Sequence, residues 1–217
     1  MIEVVKKQVA LFYKSSFENP FEALALKVKD KLGNTDIVQY IPLPPGAPPE
    51  IPRLIMTYPT FSLNFAKNRV DLFLKDSTTL TNLITVITTI ISDDYHMGFD
   101  RVGFVQQKFL EAKMEQLINL IAEGVRPTNA KELGLRVNTP KEIKGYTCNN
   151  IESLNFVTAS KLVEGAKVDT KGISIERDVN TLIEGRETRS FSKEIILDLV
   201  AALEAESDNF ILLEYGN

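Results

Sequence analysis

The sequence contains one cysteine, Cys148, and one histidine, His96, among 217 residues. A lone cysteine excludes an internal disulfide, and a lone histidine excludes any zinc finger or other metal centre that needs two from the same chain. Neither GxxxxGK[ST] nor a strand-following GxGxxG occurs, and no Gly-x-Ser-x-Gly elbow is present. The P-loop, the dinucleotide fingerprint and the serine-hydrolase turn are therefore missing. No twelve-residue span alternates acidic residues around a central glycine as an EF-hand loop does, and no cofactor is implied.

Long apolar runs are lacking too. The longest, Leu80 to Ile91, is broken by Thr81, Asn82, Thr85, Thr88 and Thr89 and is too short for a bilayer core of about 30 Å. The start, Met1-Ile2-Glu3-Val4-Val5-Lys6-Lys7, has no basic segment followed by an apolar run and a cleavage site. The expectation is a cytoplasmic protein without a membrane partner. Positive charge is not in excess: 25 basic against 29 acidic side chains give a net charge of −4, which supplies no general attraction to nucleic acid or anionic lipid. Dividing the chain at Val125 leaves 13 basic and 14 acidic residues on one side and 12 and 15 on the other, so neither part is a basic module.

What is present is an ordinary globular composition, 44% hydrophobic and 25% charged, which suits one domain or two of about 100 residues. Val4 to Tyr13 alternates as a half-buried strand. A helix follows, with Asn19 as cap, Pro20 at its first position, Glu22 completing a capping box, Phe21, Leu24, Ala25, Val28 and Leu32 on one face and Gly33-Asn34 as its stop. Arg53 to Tyr58, Phe61 to Phe65 and Arg69 to Leu74 read as a three-stranded meander. Leu80, Leu83, Ile84, Ile87 and Ile91 recur at helical spacing, with Asp76-Ser77 as the cap. Phe99 to Leu110 reads as a strand leading into a helix carrying Met114, Leu117, Ile118 and Ile121, closed by Gly124 and Pro127.

Beyond the turn-rich span Arg126 to Lys131, four further strands are expected at Leu133 to Val137, Ile143 to Cys148, Ile151 to Val163 and Gly172 to Val179. A last helix from Ser192 to about Glu206 should bury Ile196, Leu199, Val200 and Leu203. The predicted class is α+β: two halves, residues 1–125 and 126–217, each an antiparallel sheet covered by amphipathic helices on one face and packed as one compact unit. The first half reads β-α-β-β-β-α-β-α.

Four groups of residues carry candidate chemistry. In Ser92-Asp93-Asp94-Tyr95-His96 two carboxylates and the only histidine lie within four residues, which would suit a metal-dependent hydrolase or nuclease using Asp93, Asp94 and His96. Adjacent side chains diverge, however, and the bland reading is a polar cap and turn near Gly98. Cys148 beside Asn149-Asn150 offers a reactive thiol, or an inert buried small residue.

Arg177, Arg186 and Arg189, with Lys161, Lys167 and Lys171, offer phosphate contacts for RNA or single-stranded DNA. Glu176, Asp178, Glu184 and Glu187 interleave with them as on a mixed solvated surface. Phe61, Phe65 and Phe73 offer stacking faces, but their strand spacing suits a core. Between Pro42 and Pro52 six prolines make a stiff segment. Leu43, Pro44, Pro45, Pro48, Pro49 and Ile51 there would form either a polyproline ligand or a rigid connector.

Residues for acid-base, nucleophilic, metal and phosphate chemistry are thus sparse while a complete core is encoded. The sequence reads as a non-enzymatic binding or regulatory protein. Its expected partner is another protein or a second copy of itself, recognised through sheet edges and rigid loops.

Overall fold

A computed structural model describes residues 2–74, 80–121, 131–163, 166–185 and 187–209. Among these, ten strands form one antiparallel sheet and four helices accompany it. The strands are β1 (Ile2–Tyr13), β2 (Ile37–Tyr40), β3 (Leu54–Thr57), β4 (Phe61–Phe65), β5 (Arg69–Leu74), β6 (Phe99–Glu111), β7 (Gly134–Asn138), β8 (Lys141–Ile143), β9 (Tyr146–Val163) and β10 (Ala166–Thr181). Their order is β2-β3-β4-β5-β1-β6-β10-β9-β7, with β8 also on β9. The helices are α1 (Phe21–Leu32), α2 (Leu80–Thr89), α3 (Met114–Ile118) and α4 (Lys193–Ser207).

Alternation decides what each strand buries. Val9 stands between Leu72 and Phe104, Leu63 beside Leu72, and Val179 beside Phe104. All are buried in one cluster with Leu24 and Val28 of α1, Ile84 and Ile87 of α2, and Ile196, Leu199, Val200 and Leu203 of α4. The period of 2 in the strands thus meets the period of 3.6 in the helices. A second, smaller cluster joins Leu117 of α3 to Leu154, Ile173 and Ile175 of the β9–β10 hairpin.

The sheet runs on from residues 1–125 into residues 126–217, because β6 pairs with β10 from Glu111–Gly172 to Gly103–Asn180. The expected boundary falls in residues 122–130, outside the described residues, as do Gly124 and Pro127. The expected cap Asp76-Ser77 lies outside them too.

Three local expectations are corrected. Pro20 takes the cap position of α1 with no side-chain hydrogen bond, so Asn19 does not serve there, although Gly33 ends the helix at φ 83° as expected. The segment from Ile143 to Cys148 is not one strand. Lys144 and Gly145 both have positive φ, 52° and 79°, as in a tight hairpin turn with both central residues left-handed. They join β8 to β9, and β9 then runs without interruption to Val163. Finally, β2 was not anticipated: Ile37–Tyr40 pairs with β3 and forms one end of the sheet.

Candidate interaction edges and the sites expected from sequence

At the β2 end, the alternation of hydrogen bonds follows from two contacts. Tyr58 N–H donates to the Phe61 carbonyl and Ile41 N–H to the Arg53 carbonyl, both at 2.9 Å. In an antiparallel ladder both backbone groups of a residue point to the same neighbour and those of the next residue point to the other. The backbone groups of Gln39 and Ile41 therefore face β3 and those of Val38 and Tyr40 point out of the sheet, while at the start of the strand Asp36 N–H donates to the Thr57 carbonyl and Ile37 N–H to Thr35 Oγ1. Ile37 is 57% and Tyr40 45% exposed, and among the described residues no strand pairs with this apolar edge, the kind of edge that invites a partner.

At the other end, β7 bonds to β9 through Phe156 N–H to the Leu133 carbonyl and Thr139 N–H to the Asn150 carbonyl. The same alternation turns Gly134, Arg136 and Asn138 outward. Val137, 38% exposed, is the large apolar residue there.

The β9–β10 hairpin continues past both of its neighbours. The pairs from Thr158–Lys171 to Val163–Ala166 lie beyond the last pairings with β7 and β6, so a two-stranded arm projects. At its root Gly172 is indispensable: a Cβ there would meet the Leu110 carbonyl oxygen at 2.3 Å and the Phe109 ring at 2.6 Å. Phe109 lies over this glycine and, with Val5, Gln107, Val157, Ala159 and Thr170, lines a pocket of about 470 Å³. That volume is in the range of small-molecule sites, and its apolar walls include Val5, itself 60% exposed.

Of the expected carboxylate–histidine group, Asp93 and Asp94 end a π-helical turn, Ile90–Asp94, that continues α2, and His96 lies just beyond it. Asp94 is ion-paired with Lys27 of α1 at 3.0 Å, and Lys27 also lies 5.8 Å from the Tyr95 ring. Asp93 and His96 are exposed, and His96 adopts φ 53°, the left-handed conformation common in turns. Met97 N–H closes the turn on the Ile91 carbonyl. The structure does not bring Asp93, Asp94 and His96 together with other ligands: among the described residues no group of three or more His, Cys, Asp or Glu is placed to hold a metal ion.

Cys148 is fully buried in the main core. Burial first and the Glu142 carboxylate second push its thiol up to about 11, against the smaller opposing effect of Arg189. A thiol so protonated is a poor nucleophile.

The arginine group is split. Arg177 is 0% exposed, its guanidinium 2.5 Å from Glu152 and 3.5 Å from Glu206, so it cannot reach a phosphate. Arg189 donates to the carbonyls of Leu182 and Glu184. Arg186 lies outside the described residues, as do the side chains of residues 161–166, Lys161 among them. Lys167 pairs with Asp169 at 3.4 Å, and Lys171 is exposed. The spacing Ile173, Ile175, Arg177, Val179 carried the signal, since it puts the arginine on the buried face of its strand. Phe65 is core; Phe61 is half-buried against the core, and half-buried Phe73 has the Lys6 ammonium 5.2 Å from its ring.

The proline-rich segment closes the β2–β3 hairpin. Pro44, Pro45, Pro48 and Pro49 are exposed while Leu43 and Ile51 are half-buried. Turn bonds from Ala47 N–H to the Pro44 carbonyl and from Ile51 N–H to the Pro48 carbonyl shape it, and the Pro49 carbonyl accepts from Lys67 N–H at 2.9 Å. That last bond ties the loop to the β4–β5 turn. Because the two apolar residues are half-buried, the exposed surface is chiefly proline, polar backbone and the Glu50 side chain.

No helix of the described residues is long and apolar enough to cross a membrane. Compared with known proteins, the sequence matches no family model and no curated sequence.

Proposed function

We propose that this is a binding or regulatory protein that recognises a polypeptide partner through its sheet edges, with the fixed proline-rich loop framing one of them. The observation that carries the reading is the outward backbone of β2 beside Ile37 and Tyr40. Unpaired N–H and C=O groups on an apolar strand are what an incoming strand needs: main-chain bonds supply affinity and alternate side chains supply selectivity. Among the described residues β7 also presents outward backbone groups, on a more polar strand, and the arm root adds an apolar pocket.

The reading is tested by blocking the edges without touching the ladders behind them. Tyr40→Pro and Arg136→Pro each remove a donor that points away from the neighbouring strand, a position where proline is tolerated. Cross-linking capture from the native cell, run with the wild type and the double variant, should recover a partner only with the wild type, circular dichroism being unchanged. Equal recovery by the folded double variant overturns the proposal.

A further inference from the structure

The β2 edge is self-complementary. From Ile37 to Ile41 the chain reads Ile-Val-Gln-Tyr-Ile and carries no charge, so two copies meet there without like-charge repulsion. A two-fold axis perpendicular to the sheet through Gln39 sets Val38 opposite Tyr40 of the second copy, and Tyr40 opposite its Val38. These are the residues whose backbone groups point outward, so four inter-chain hydrogen bonds form in register.

The side chains agree with the backbone. Val38, already packed against the core, gains an aromatic neighbour on the same face, and Ile37, 57% exposed, meets Ile41 on the other. Cross-strand pairs of this type stabilise sheets. Pro42 occupies the next outward position, where its missing N–H ends the pairing without leaving a donor unsatisfied. By contrast β7 has Arg136 at its centre, and a two-fold axis there would oppose two arginines.

We propose that β2 is the contact of a symmetric homodimer, two copies pairing antiparallel about Gln39 to make one continuous sheet. The inference deepens the edge-recognition reading and names its partner as a second copy of this chain. An isologous contact of this kind closes on itself and does not propagate into fibres.

Gln39 gives a covalent test. In the dimer it faces its own counterpart as a non-hydrogen-bonded pair, with a Cα separation of about 4.5 Å, inside the range a disulfide spans. Cys148 is buried, so background coupling is low. Under mild oxidation Gln39→Cys should become a disulfide-linked dimer on a non-reducing gel, while Ile183→Cys, at a site 54% exposed, should stay largely monomeric. Sedimentation should show a reversible dimer of the unmodified chain at concentrations on the order of 10 µM, with a dissociation constant raised at least about tenfold by Tyr40→Pro. A monomer throughout, a Tyr40→Pro variant that dimerises like the wild type, or Gln39→Cys coupling no faster than Ile183→Cys overturns the proposal. If such a chain still captures a partner that Tyr40→Pro loses, edge recognition stands and the partner is a different protein.

Discussion

The two apolar clusters under the helices differ in how they are closed. The larger one is sealed by three helices whose buried faces are hydrophobic apart from Thr88 of α2 and Ser207 at the end of α4, whereas the smaller has only the five-residue α3 above it. Between them, where α4 ends, the sheet is lined by charge. Glu204 pairs with Lys7 at 2.8 Å, Glu206 with Lys141 at 2.7 Å and with Arg177 at 3.5 Å, and Asp208 with Lys108 at 3.0 Å. Asn150 donates to Glu206 at 3.1 Å, and the Gln106 amide nitrogen donates to the Ser207 carbonyl and to the Asp208 carboxylate, both at 3.1 Å.

Acidic residues at a helix C-terminus oppose the helix dipole, and α4 has no basic residue in its last turn. The cations that balance them come from four strands, β1, β6, β8 and β10. The lesson is that the end of α4 is held by tertiary charge pairing, while its middle is held by packing.

The sharpest way to break this contrast is at Arg177. Replacing it with alanine takes the guanidinium from Glu152, which is 1% exposed, and a carboxylate buried without its cation costs about 3–5 kcal/mol. Urea unfolding should show that loss. The double replacement Arg177→Met with Glu152→Leu should lie much closer to wild type, because it removes both charges together. Equal loss in the single and double variants would mean that packing, not charge, holds this layer.

Leucine truncations sharpen the other half of the comparison. Leu199 and Leu117 are both fully buried, yet their settings differ. Leu199→Ala opens a cavity among rigid neighbours and should cost about 2–5 kcal/mol; Leu117→Ala should sit near about 2, because a short helix can settle into the space. A larger loss at Leu117 than at Leu199 would reverse the ranking of the two clusters.

The main architecture was legible because its signals are local. Alternation in β1, β4 and β5, the stripe of α2 and the stripe of α4 with Ser192 accepting from Ile195 N–H all follow from side-chain spacing. β2 was hidden because it has four residues between a helix stop and a proline-rich loop, too few for periodicity to register. The break at Lys144-Gly145 was hidden by a lysine in the left-handed region, where asparagine, aspartate or glycine is the usual sign.

The candidate sites were less legible than the fold. Asp93, Asp94 and His96 read first as a polar cap and turn and only in the alternative as a reaction centre, and the ion pair of Asp94 with Lys27 of α1 is a tertiary contact that their proximity in sequence does not reveal. Arg177 was grouped by type with Arg186 and Arg189, although strand alternation assigns it to the interior. The edge backbone of β2 has no side-chain signature at all, since which groups are outward depends on register with β3.

A second buried charge, Asp71, offers a contrast with Arg177 on the opposite face of the sheet. It accepts from Gln8 at 3.0 Å and Arg69 at 2.9 Å, yet burial outweighs these and raises its carboxyl above the ordinary value of 3.8. A carboxyl raised on folding binds its proton more tightly in the native state, so its ionisation destabilises the fold. The penalty is absent below 3.8, grows as pH rises through the folded value and is complete above it. Asp71→Asn should therefore flatten the fall in unfolding free energy across that window, and an unchanged slope would show that Asp71 is not its source.

The smallest effect is expected at the outer rim of the charged layer. Lys108 and Asp208 meet at 3.0 Å, but the Asp208 side chain is 57% exposed, so water and salt screen the pair and side-chain ordering offsets much of its attraction. Asp208→Ala should cost less than about 1 kcal/mol. The remaining difference from wild type should vanish near 1 M salt, where charges are screened within about 3 Å. The loss at Arg177→Ala should persist at the same salt, because that charge is enclosed. If Asp208→Ala cost as much as Arg177→Ala, or if salt erased both losses alike, the distinction between a buried charged layer and a solvated rim would fail.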